Sequence, residues 1–68
     1  MKVTQYDVKA KGSQLVADYV FDNGYTAEQS APSNPFGGAI FMVFNKQGNF
    51  ATDTMKQKAK QAIDQYHA

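Results

Sequence analysis

Ala39-Ile40-Phe41-Met42-Val43-Phe44 is an unbroken apolar run, bounded by Gly37-Gly38 before it and Asn45-Lys46-Gln47-Gly48 after it. Its short length and turn-forming flanks make it a β-strand rather than a helix. Successive side chains on a strand point to opposite faces. Ile40, Met42 and Phe44 therefore share one face, and Ala39, Phe41 and Val43 the other. Both faces are apolar. A single domain of 68 residues has little chain left to cover two faces, so one of them takes its cover from a loop or from a partner.

Working outward from this strand, residues 3–11 alternate. Thr4, Tyr6, Val8 and Ala10 share one face, and Gln5, Asp7, Lys9 and Lys11 the other. Lys11-Gly12-Ser13 is a turn. Residues 14–21 alternate again, with Leu15, Ala17, Tyr19 and Phe21 opposite Val16, Asp18 and Val20. The two runs form an antiparallel hairpin. Asn23-Gly24 favours the positive φ of a tight reversal, after which Tyr25–Gln29 returns as a short, polar edge strand. Residues 30–38 carry two prolines and a double glycine and read as a loop. Downstream of the apolar strand, Phe50-Ala51 adds a brief strand.

The last segment is helical: Met55, Ala59, Ala62, Ile63 and Tyr66 fall on one stripe. Thr52, Asp53 or Thr54 caps it, with Thr54 and Gln57 at capping-box spacing. The expected fold is a single α+β domain over residues 1–68. It has a three- to four-stranded antiparallel sheet with the apolar strand in its middle and one C-terminal helix packed on one face. Ile40, Met42 and Phe44 are expected beneath the helix. Phe41 and Val43, with Val16 and Val20, are expected on the open face.

Composition narrows the function. The chain has seven lysines, six acids, no arginine and a net charge of +1. Nucleic-acid binders usually carry a marked basic excess, with Arg for bidentate contacts. Phe41 and Phe44 have the spacing of two aromatics in the RNA-recognition signature. However, the leading basic residue is missing, and the odd spacing sends the two rings to opposite faces. With no cysteine and one histidine near a fraying terminus, His67, no metal or nucleophile motif forms. The carboxylates lie on polar faces, turns or the helix start, so neither a catalytic residue nor a cofactor is expected. No small-molecule substrate is expected either, and no apolar run is long enough for a membrane span. A chain starting without an apolar leader reads as a cytoplasmic product made without export.

The expected activity is therefore non-enzymatic binding of a protein partner, as a small inhibitor or adaptor that also forms a homodimer through its open face or an edge strand. The partner-binding candidates are Phe41, Val43, Val16, Val20, Phe36, Asp18 and Tyr25. Phe41 and Val43 supply apolar area, Phe36 is presented by the 30–38 loop, and Asp18 and Tyr25 sit at the rim. Asp18 is an unusual charge between Val16 and Val20. A phage-encoded blocker of a host protein, in an anti-CRISPR-like role, is one concrete version. The alternative is a nucleic-acid-binding module using Lys2, Lys9, Lys11 and Lys46 with exposed aromatics.

Overall fold

The computed structural model describes residues 1–12, 14–31 and 40–68. Strands β1 (Val3–Lys11), β2 (Gln14–Phe21), β3 (Thr26–Ala31) and β4 (Ile40–Phe44) precede one helix, α1 (Asp53–His67). The strands form one antiparallel sheet in the order β1-β2-β3-β4. This is the α+β arrangement that alternation and the helical stripe point to. The order corrects one expectation: the apolar strand β4 is an edge, and the polar strand β3 lies inside the sheet. β3 also runs on through Ser30 and Ala31, which the prolines downstream suggested were loop.

Local chemistry explains the reversals. Between β2 and β3, Gly24 N donates to Phe21 O at 3.1 Å, and Phe21 N donates to Tyr25 O at 2.9 Å. The Asn23 carboxamide oxygen accepts from Tyr25 N. Gly24 adopts φ +87°, where a side chain is strained, and the Lys46 stem lies against it. After β4, Asn45 uses the same device: its side-chain oxygen accepts from Gln47 N and Asn49 N, both at 3.0 Å. The chain then folds back, so that Phe50 bridges to Phe44 and Ala51 N donates to Val43 O at 2.9 Å.

A bulge between Val3 and Gln5 adjusts β1. It places Val3 opposite Phe21, while Thr4 Oγ1 donates to Val20 O. Beyond the bulge, Tyr6 pairs with Tyr19 and Val8 with Ala17.

The core lies between the sheet and α1. Tyr19, Phe21, Ala27, Val43, Ala59, Ala62 and Ile63 form its buried cluster, with Met1, Val3, Ala17, Tyr25, Phe41 and Ala51 packed against it. The expected facing of β4 is therefore reversed. Val43 is buried under the helix with Phe41 beside it, and Ile40, Met42 and Phe44 face away. Register is the cause: Tyr19 pairs with Ala27, and Ala27 with Val43, so all three share a face. Ala27, 1% exposed, and Ala59, 0% exposed, are the small residues of the helix–sheet interface.

The helix begins at Thr52, whose hydroxyl accepts from Met55 N at 3.3 Å. Of the candidate caps, Thr52 serves rather than Thr54. The helix C-terminal end is anchored on β1 and β2. The Tyr19 hydroxyl and His67 Nε2 share a 2.8 Å hydrogen bond. The rings of Tyr6, Tyr19, Tyr66 and His67 pack together with centroids 5.0–5.8 Å apart. His67 is therefore placed against Tyr6 and Tyr19 of the sheet. Burial, then the neighbouring phenols of Tyr6 and Tyr66, holds the Tyr19 hydroxyl above its ordinary pKa. Among the described residues no helix is long and apolar enough to cross a membrane.

Candidate interaction surface

The sheet face turned away from α1 is set by strand register. Three rows cross it. One is Gln5–Val20–Thr26–Phe44, the next Asp7–Asp18–Glu28–Met42, and the third Lys9–Val16–Ser30–Ile40. The middle row puts carboxylates on three adjacent strands. Like charges directly opposite each other are unfavourable, and two lysines answer them. Lys9 Nζ lies 4.0 Å from Asp18 Oδ2, and Lys11 Nζ lies 3.9 Å from Glu28 Oε1. The line from Lys11 on β1 to Glu28 on β3 passes over Val16 on β2. The apolar lysine stem helps explain why Val16 is only 7% exposed although it lies outside the helix-side core.

Asp18 remains incompletely served. Its Oδ1 is buried and, among the described residues, has no hydrogen-bond partner. A buried acceptor left in that state costs about 1–3 kcal/mol.

The β4 side of this face is apolar. Ile40 is 55% exposed and Phe50 is 73% exposed. Phe50 stacks on Phe44 with centroids 5.2 Å apart and planes 29° from parallel. Because Phe50 comes from the turn after β4, the stack widens this face beyond the last strand.

Of the residues singled out from sequence, Val16, Val20 and Asp18 lie on this face. Phe41 and Val43 do not: they lie on the helix side, where Val43 is core and Phe41 lines a groove with Gln29, Lys56, Lys60 and Ile63. Tyr25 packs against the core rather than standing at the rim. Phe36, and the question of whether the 30–38 loop covers the open face, lie outside the described residues. Ile40, Met42, Phe44 and Phe50 take the places intended for Phe41 and Val43. The signal for this lay in Glu28. A charged residue paired with Asp18 belongs on the open face, and its partner on β4 is Met42.

The four lysines of the alternative site are not gathered. Lys9 and Lys11 turn to Asp18 and Glu28. Lys2 lies at the other end of β1, its main chain bonded to Asp22, and Lys46 lies on Gly24. Among the described residues, no group of three or more His, Cys, Asp or Glu is placed to hold a metal ion. Compared with known proteins, the chain matches no family model, no curated protein and no solved structure.

Proposed function

We propose that this chain is a non-enzymatic protein-binding module that receives a partner protein on the open sheet face. The observation that carries the proposal is the pairing of two features on that face. One is the exposed apolar margin of Ile40 and the Phe44–Phe50 stack. The other is the part-exposed Asp18 carboxylate at the centre, whose Oδ2 lies only loosely, at 4.0 Å, from Lys9 Nζ. A partner lays apolar side chains on the margin and donates an N–H or a cationic group to Asp18. Burial of a ring such as Phe50 is worth about 1.5–3 kcal/mol, and a charged contact to the part-exposed Asp18 carboxylate adds the specificity that apolar area lacks. A domain this small acts by occupying a surface, as an inhibitor or an adaptor. The nucleic-acid alternative has less support, because Lys9 and Lys11 already face carboxylates.

The test is capture from the source cells with tagged wild type and Phe50→Glu. The expected result is a partner protein recovered in similar yield at about 50 and 200 mM salt, since apolar contact is insensitive to salt while phosphate contact is not. Phe50→Glu should lose that partner while keeping the wild-type circular dichroism. Retention by Phe50→Glu contradicts the proposal. So does recovery of nucleic acid alone, falling steeply with salt.

A further inference from the structure

We infer that β1 is the pairing edge of a symmetric dimer. It aligns antiparallel with β1 of a second copy, and the two-fold axis passes through Val8.

The sheet has two edges, β1 and β4. The β4 edge is partly occupied, because Ala51 N bonds Val43 O and Phe50 bridges Phe44. The β1 edge is nine residues long, and among the described residues nothing pairs with its outer side.

Main-chain direction on that edge follows from β2. Phe21 N donates to Tyr25 O, so the main-chain groups of Phe21 aim at the β3 side. Asp22 N donates to Lys2 O, so those of Asp22 aim at β1. In an antiparallel ladder the direction alternates. Val20, Asp18 and Val16 therefore aim at β1 and bond their partners Gln5, Asp7 and Lys9. Tyr6, Val8 and Ala10 are left with N–H and C=O groups pointing outward. Those are the groups a second strand needs.

Charge selects the register. With the axis at Val8, Val8 faces the partner's Val8 and Tyr6 faces the partner's Ala10. Asp7 faces the partner's Lys9, and Gln5 faces the partner's Lys11. Tyr6, Val8 and Ala10 each exchange both main-chain bonds, and the bulge between Val3 and Gln5 stays outside the paired stretch. Among the described residues Asp7 makes no ion pair, while it stands at the open end of the Asp7–Asp18–Glu28 row. The partner's Lys9 closes that row.

The neighbouring registers fail. An axis at Asp7 sets Asp7 against itself, and an axis at Lys9 sets Lys9 against itself. An axis at Ala10 sets Lys9 against Lys11. An axis at Tyr6 runs the pairing into the bulge.

Apolar surface agrees with this choice. On the helix side, Val8 is 47% exposed and Leu15 is 59% exposed, since α1 does not reach them. The dimer packs Val8 on its symmetry mate and brings the partner's Tyr6 to Ala10, the strand neighbour of Leu15. The inference is independent of the open-face proposal, because it uses a strand edge rather than a sheet face.

Sedimentation over about 10 μM to 1 mM tests it, with wild type, Val8→Pro, Asp7→Lys and the exchange Asp7→Lys/Lys9→Asp. The Val8 N–H faces outward, so proline there spares the β2 ladder, as edge prolines do. Wild type should reach twice the chain mass with concentration, and Val8→Pro should remain monomeric with unchanged circular dichroism. Asp7→Lys should weaken the dimer by about tenfold, and the exchange should restore it. A wild type that stays monomeric, its edge merely guarded by lysines, overturns the inference. So does a dimer equally strong in Val8→Pro or Asp7→Lys. Should Val8→Pro fail to fold, the charge pair decides: weakening followed by restoration supports the axis at Val8, and any other pattern overturns it.

Discussion

Asp18 sits between Asp7 and Glu28 across the strands, with one oxygen buried and, among the described residues, unbonded. Asp18→Asn removes a like charge and supplies its own donors. It gives up only an ion pair at 4.0 Å with a well-exposed lysine, which is worth little. The variant should therefore be more stable than wild type, by about 0.5–1 kcal/mol in urea unfolding at neutral pH, and should bind the partner less well. Tyr19 carries the pH dependence. Its folded-state pKa is raised above the ordinary 10.0 by burial and by the phenols of Tyr6 and Tyr66. Below pH 10.0 folded and unfolded chains both hold the proton, and the contribution to stability is complete. Above it the unfolded chain ionises first, and stability falls until the folded phenol has ionised as well. Urea titrations from neutral to alkaline pH should show that fall in wild type and lose it in Tyr19→Phe. At neutral pH Tyr19→Phe should cost about 1 kcal/mol for the lost bond to His67.

Helix and sheet meet through small residues. Ala59 is fully buried against the sheet, so Ala59→Leu forces the two apart and should cost about 1–3 kcal/mol or more in thermal or urea unfolding. At this scale much of the fold was legible. Alternation defined β1 and β2, the turn residues placed the reversals, and the stripe of Met55, Ala59, Ala62, Ile63 and Tyr66 identified α1, of which Ala59, Ala62 and Ile63 are buried while Tyr66 is 49% exposed. The facing of β4 was not legible in β4 itself. A strand that is apolar on both faces carries no internal mark of which side is buried, and a shift of one residue in register exchanges the two. Only pairing with β3 decides it, through Ala27 against Val43 and Glu28 against Met42. The position of β3 within the sheet was hidden for a related reason: its polar residues look like an edge until Asp18, Lys11 and Met42 are seen beside Glu28. The Phe44–Phe50 stack depends on a turn whose direction comes from the Asn45 side chain, a contact that alternation cannot reveal. Asp18, Val16 and Val20 were legible because β2 is apolar and alternating on one face and interrupted by a charge on the other.

For the whole molecule, one helix of 15 residues, about 22 Å long, shelters one side of four strands, and among the described residues the other side carries only the stems of Lys9 and Lys11. A chain this short buries only about 60% of its unfolded surface, so each face that finds a partner adds to a small margin of stability. The β1 edge and the open face are separate surfaces. In the proposed dimer, a second copy on the edge would leave Ile40, Phe44 and Phe50 open to the proposed partner protein. The open face exists as a binding surface only if the helix covers the Val43 side of β4. The direct measurement is urea unfolding of Ile40→Glu beside Val43→Glu. Ile40→Glu should unfold cooperatively within about 0.5 kcal/mol of wild type, and Val43→Glu should lose the cooperative transition through burial of an unpaired carboxylate. A stable Val43→Glu beside an unfolded Ile40→Glu would put the helix on the opposite face and contradict the account.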